Sequence, residues 1–290
     1  MKNIVSTEWL AGEIDRKNNQ LVIVDTRFNL GKPQEGYNQY LKGHIPGAVY
    51  ADLEKHLSAP INKHGGRHPL PDIDLLAKKL GELGIDNDSH VVIYDDQGGM
   101  IASRLWWLLH YIGVSNAAVL DGGWKKWTSE NNPIFNAVPN PSGKTLHPRV
   151  NPEWKWVDHV EVKEKLHHPD TILIDSRENS RYLGESEPID PVAGHIPGAR
   201  NYFWKDILNE DGSLKQREEL TAHFSDIPLE KEIIVYCGSG VSACPNILAL
   251  NEAGYSNIKL YAGSWSDWIT YPDNPIAVGD EREQDRDSSR

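Results

Sequence analysis

The sequence predicts an α/β protein of two tandem domains, each a parallel sheet flanked by helices, and three observations carry that prediction. The first is an internal repeat. Val24-Asp25-Thr26-Arg27 returns as Ile174-Asp175-Ser176-Arg177, and Gly43-His44-Ile45-Pro46-Gly47-Ala48 as Gly194-His195-Ile196-Pro197-Gly198-Ala199. Val92-Ile93-Tyr94-Asp95 returns as Ile234-Val235-Tyr236-Cys237, and Leu120-Asp121-Gly122-Gly123-Trp124 as Tyr261-Ala262-Gly263-Ser264-Trp265. Asp25 and Asp175 lie 150 apart and His44 and His195 lie 151 apart, but Asp95 and Cys237 are separated by 142 and Trp124 and Trp265 by 141. One duplication explains all four spacings if the first copy carries a net insertion between its second and third motifs. Residues 58–70, rich in Gly, Pro and His, fall there. Repeats this long are whole domains rather than solenoid units. The second observation is that short β-branched runs alternate with amphipathic helical patterns, which implies parallel strands joined by crossover helices. The third is a break in composition: residues 131–152 hold Pro133, Pro139, Pro141, Pro148 and Pro152 among Gly and Asn, as a linker does.

Taken in order, residues 21–24 read as a strand, 75–83 as a helix, 90–94 as a strand, 101–112 as a helix and 117–120 as a strand. In the second half, 233–236 read as a buried strand, 241–253 as a helix closed by Gly254, and 257–261 as the next strand. The expected boundaries are a first domain over 1–135, a linker over 136–152 and a second domain over 153–278. A polar tail over 279–290, without an apolar residue, is expected to be disordered. The tryptophans Trp106, Trp107, Trp124 and Trp127 read as core packing.

Bulk properties exclude several classes. A formal charge of −12 argues against a nucleic-acid or anionic-membrane partner. The N-terminus lacks a signal-peptide apolar core and no apolar run is long enough to span a membrane. Cys237 and Cys244 are the two cysteines of the chain, too few for a disulfide framework, and a reducing cytoplasm suits a free thiol.

The chemistry concentrates at Cys237. An apolar strand delivers this cysteine into the small-residue loop Gly238-Ser239-Gly240-Val241-Ser242, which opens a helix. Backbone N–H groups of such a loop, with the positive end of a helix dipole, stabilise a thiolate. Two other readings of the run fail on particular positions. Gly238, Gly240 and Ala243 fit a dinucleotide-binding fingerprint, but the following strand ends at Tyr261-Ala262-Gly263 without the acid that would hold a ribose. A cysteine phosphatase needs an arginine six residues after the cysteine, and that position is Ala243. Cys244 reads as a buried helix residue. His64 and His68, four apart in a Gly-Pro loop, lack further ligands at metal spacing, so no metal is assigned.

The run Cys237 to Ala243 resembles the active-site loop of the rhodanese, or sulfurtransferase, family. It is nearest the Cys-Gly-Ser-Gly-Val-Thr-Ala form of members that use 3-mercaptopyruvate, with Ser242 in place of Thr. Members that prefer thiosulfate carry basic residues just after the cysteine, where this chain has Gly238 and Ser239. The resemblance spans 1–278 and implies two rhodanese-like domains with a non-catalytic first copy, whose Asp95 stands at the cysteine position. It implies sulfur transfer through a persulfide on Cys237, without organic cofactor or metal, from a small anionic donor to a thiol, thioredoxin or cyanide. Gly238, Ser239, Gly240, Val241 and Ser242 would cradle the sulfur, and Arg181 would hold the donor's anionic end. His44 is implied as a proton relay, while His195 reads as a turn residue and Arg177 as the ion-pair partner of Asp175. Mercaptopyruvate users carry a second arginine several residues after position 181; residues 185–192 have none and place Asp190 near that point. The opposing class is a non-catalytic sulfur carrier or docking module, against which the intact Cys237 loop argues.

Overall fold

Residues 2–280 are described by the structure, a computed structural model. They fall into two units that do not follow the halves of the sequence strictly. Unit 1 holds Met1–Ala59, Leu70–Trp154 and Leu208–Gln216; unit 2 holds Pro60–Pro69, Lys155–Ile207 and Arg217–Arg290. Each unit therefore takes one short segment from the other half of the chain.

Unit 1 is built on strands β1 (Ile4–Val5), β2 (Leu21–Asp25), β3 (Val49–Tyr50), β4 (His90–Tyr94) and β5 (Ala117–Leu120). Unit 2 repeats them as β6 (Lys155–Val157), β7 (Thr171–Asp175), β8 (Arg200–Asn201), β9 (Glu232–Tyr236) and β10 (Ile258–Tyr261). The sheet orders are β1-β5-β4-β2-β3 and β6-β10-β9-β7-β8, with every pair parallel. The register repeats as well, Asp25 facing Tyr94 and Asp175 facing Tyr236. Crossover helices cover both faces of such sheets, which is why the central strands are continuous Val/Ile runs.

The helix Met100–Tyr111 is buried from Ile101 through His110, and Trp106, Trp107 and Trp127 are fully enclosed in unit 1. The proline-rich stretch read as a linker makes backbone hydrogen bonds to unit 1. Lys144 N–H bonds to the carbonyl of Gly81, Arg149 N–H to that of Ile112 and Asn151 N–H to that of Tyr111. The physical reason is that helix Met100–Tyr111 ends there and leaves the carbonyls of Tyr111 and Ile112 without helical partners, while Lys144 adds a second donor to the Gly81 carbonyl, which already accepts from Gly84 N–H. An extended proline-rich backbone supplies the missing donors. From residue 281 onward, the expected tail lies outside the described residues.

The repeated motifs serve the two cores. Arg27 Nη2 lies 2.6 Å from Asp25 Oδ2 and donates to Gly43 O at 2.7 Å; Arg177 Nη2 does the same with Asp175 and Gly194 at the same distances. Arg177 thus takes the structural role expected of it. Buried charges survive only when paired and hydrogen-bonded in this way. His44 and His195 are fully buried, set against the carbonyls of Tyr40 and Tyr182 at 2.9 and 2.7 Å and stacked on those tyrosine rings.

Candidate active site

Strand β9 ends at Tyr236, and the helix Ala243–Glu252 begins seven residues later. The loop between them is forced into shape at two points. Gly240 has φ of +74°, and a Cβ there would sit 2.2 Å from the carbonyl oxygen of Ala262. Only glycine fits so close an approach of two backbones. Ser264 also adopts the left-handed region, at φ +56°, an unusual conformation for a residue with a side chain. Its buried hydroxyl explains the choice: Oγ accepts the Cys237 N–H at 3.1 Å and donates to Tyr261 O at 2.9 Å. Trp265 N–H and Ser266 N–H hold the carbonyls of Cys237 and Gly238 at 3.0 Å each. Cys237 is thereby fixed at the head of the loop with its residue 1% exposed. Cys244 is buried on the helix, as expected, its Sγ 3.4 Å from Gly240 O.

The equivalent loop of unit 1 displays what this backbone can bind. Asp95 Oδ1 accepts from the N–H groups of Gln97 and Gly99, and Oδ2 from those of Ile101 and Ala102, at 2.7 to 2.9 Å. The loop is an anion nest filled by its own carboxylate. At the same steps after Cys237 stand Ser239, Val241, Ala243 and Cys244. Val241 and Ser239 are buried, and Ser242, which precedes the helix, makes no side-chain capping bond.

Arg181, on the short helix Asn179–Tyr182, reaches the same loop. A Cβ placed on Gly238 would be 3.5 and 3.6 Å from its two terminal nitrogens. Its guanidinium lies 2.8 Å from Glu187 Oε1 and 3.2 Å from Asp190 Oδ2. His44, by contrast, belongs to unit 1, with a ring wholly buried between Tyr40 and its carbonyl.

Sequence reasoning missed two residues, both in Pro60–Pro69. His68 is buried, with Nδ1 2.8 Å from Ser239 Oγ. Arg67 Nη2 lies 2.9 Å from the Cβ position of Gly238, and Arg67 Nη1 pairs with Asp190 Oδ1. The segment is docked on unit 2 by Gly65 N–H to Asp267 Oδ1 at 2.6 Å, Arg67 N–H to Ser266 Oγ at 3.1 Å and His64 Nδ1 against Thr270 Oγ1 at 2.8 Å. Gly66, at φ +77°, lies so near Gly263 that a Cβ would be 2.4 Å from its carbonyl oxygen. The available signal was that an insertion unique to one copy of a duplicated domain carries Arg and His. The absence of basic residues at 238 and 239 also reads differently here. Two guanidiniums occupy the space that a side chain at 238 would enter.

Comparison with known proteins follows the same outline. Residues 6–130 and 158–271 each match the rhodanese-like domain. A probable 3-mercaptopyruvate sulfurtransferase of Pseudomonas aeruginosa is 42% identical over 287 residues, covering 96% of this chain and 98% of that protein. A thiosulfate sulfurtransferase of Mus musculus is 33% identical over 277 residues, covering 92% of this chain and 91% of its own length. The crystal structure of the 3-mercaptopyruvate sulfotransferase SseA from Escherichia coli superposes with a TM-score of 0.80 at 34% identity, over 92% of this chain and all of that one. Among the described residues no helix is long and apolar enough to cross a membrane.

Proposed function

The chain belongs to the rhodanese-like family and is a sulfurtransferase, and from that premise we propose that Cys237 carries the transferred sulfur as a persulfide, with 3-mercaptopyruvate the preferred donor. The observation that carries this reading is the convergence on one loop of a fixed cysteine, the His68–Ser239 pair and the guanidinium of Arg181. The Cys237 thiolate attacks the donor's sulfur and the carbon–sulfur bond breaks. Its electron pair leaves on the enolate of pyruvate. The donor's thiol proton is passed to the enolate carbon, completing the methyl group, and Ser239 backed by His68 carries it. The persulfide anion left on Cys237 is stabilised by loop N–H groups, as an oxyanion hole stabilises oxygen. An acceptor thiolate then attacks the outer sulfur, forms its own persulfide and releases the Cys237 thiolate. Two displacements through one covalent intermediate give ping-pong kinetics.

The charge count favours the mercaptopyruvate monoanion over thiosulfate. Arg67 and Arg181 face Asp190 and Glu187, while Arg177 is matched by Asp175, so the cluster offers forked donors with little excess positive charge. A planar carboxylate suits such a fork. A thiol acceptor places the reaction in a reducing compartment such as the cytoplasm. The test is mass spectrometry after donor treatment without acceptor. Cys237 gains the mass of one sulfur, removable by cyanide. Cys237→Ser abolishes adduct and turnover, and Cys244→Ser keeps both. Turnover by Cys237→Ser ends the proposal.

A further inference from the structure

Arg67 enters unit 2 on Pro60–Pro69, far in sequence from the loop it meets. Its Nη2 comes nearer to the Cβ position of Gly238 than does either terminal nitrogen of Arg181, at 2.9 Å against 3.5 and 3.6 Å. Asp190 joins the two arginines, with one carboxylate oxygen on each. Asp190 is buried, whereas the Arg67 side chain keeps a quarter of its surface exposed. Among the described residues the Arg67 Nε is enclosed without a hydrogen-bond partner. The arrangement is a pair of guanidiniums held side by side over the residue that follows the nucleophile, with donor capacity unspent. Arginine is suited to this task because its planar fork is always charged and meets a carboxylate with two parallel bonds.

We propose that Arg67 is a second residue binding the donor's anionic end, supplied by the inserted segment, and that Asp190 is the positioning residue that sets Arg67 and Arg181 in register. The proposal rests on the sulfur-transfer reading of the same site. It accounts for residues 185–192 containing Asp190 and no arginine: the second cation arrives from the insertion, and Asp190 receives it. The donor's carboxylate is held between the two guanidiniums, and its sulfur is directed at Cys237.

The two half-reactions separate the proposal from a structural role for Arg67. Loading of Cys237 is followed with 3-mercaptopyruvate. Discharge of enzyme loaded to completion at high donor concentration is followed with dithiothreitol, a neutral acceptor. Product inhibition by pyruvate reports anion binding without chemistry. For Arg67→Ala, kcat/KM for loading falls at least tenfold, the pyruvate inhibition constant rises by a similar factor and discharge stays within twofold of wild type. Arg67→Lys recovers part of the loss, as a point charge without the fork does. Loading and pyruvate inhibition both within twofold of wild type in Arg67→Ala would overturn the proposal. Equal losses in loading and discharge would overturn it too, by making Arg67 a support for the segment alone. Either result leaves the sulfur-transfer reading intact as long as Cys237→Ser is inactive, whereas an active Cys237→Ser removes that reading first.

Discussion

His110 is the side chain whose burial has the clearest thermodynamic consequence. It sits in the last turn of Met100–Tyr111, 7% exposed, stacked on Trp154 at 4.6 Å and hydrogen-bonded to the Ala117 backbone. Burial pushes its imidazole down to about 4, because the charged form loses its water. The unfolded chain takes up this proton near pH ~6.5, so between that pH and about 4 the unfolded state binds more protons than the folded one. Stability is therefore full above pH ~6.5 and declines as pH falls. The slope of about 1.4 kcal/mol per unit gives a loss of about 2 kcal/mol from this residue between pH 7 and pH 5. Urea denaturation of wild type and His110→Gln at the two pH values isolates it. The pH difference shrinks by about 2 kcal/mol in the variant, and an unchanged difference refutes the assignment. The sequence left this residue unremarked because a histidine on an apolar helix carries no mark of what will enclose it.

The strand-to-helix loop is the element that the duplication preserved and function divided. In unit 1 it holds Asp95, which is 1% exposed. Burial raises the Asp95 carboxyl above its ordinary range even though four N–H groups pull it down. The nest is thus complete without ligand. Asp95→Asn turns an NH2 group toward two of those N–H donors and leaves them unpaired in the interior. At about 1–3 kcal/mol for each buried unsatisfied donor, the substitution costs about 2–6 kcal/mol of unfolding free energy, read from the shift in the denaturant midpoint. A loss below 1 kcal/mol would show that the nest does not depend on its anion. The strand-loop-helix around Cys237 was legible from the apolar run before it and the small residues after it, and the strands at 90–94 and 117–120 match β4 and β5. The packing of the proline-rich stretch was not legible, because a composition that forbids helix says nothing about which carbonyls an extended chain will find.

Across the whole molecule, the legible part was the duplication, and the part that escaped was what the insertion does. Repeats at 25/175 and 95/237 marked the two sheets and the loop that carries Asp95 in one copy and Cys237 in the other, whereas Arg181 came from the family resemblance alone. His68 and Arg67 had no counterpart in the second copy to compare, and their distance of about 170 residues from Ser239 hid the contact. The same scale raises an electrostatic question. A chain of net charge −12 acts on anionic donors, so cations at the site must offset the acidic whole. Asp190 and Glu187 cancel much of that offset, which holds the pocket near balance. Asp190→Asn removes one negative charge yet keeps an oxygen to accept from the arginines. A charge change a few ångströms from the bound anion, at the effective dielectric of a partly exposed site, shifts binding by about 1–2 kcal/mol per unit of donor charge. Thiosulfate carries two charges and mercaptopyruvate one, so the dianion gains more. The ratio of kcat/KM for thiosulfate to that for 3-mercaptopyruvate, measured side by side at constant ionic strength, rises about tenfold in Asp190→Asn and contracts as salt screens the site. A ratio unmoved by the substitution would mean that donor choice is set by the shape of the loop at Gly238 and Ser239, and not by the charge facing it.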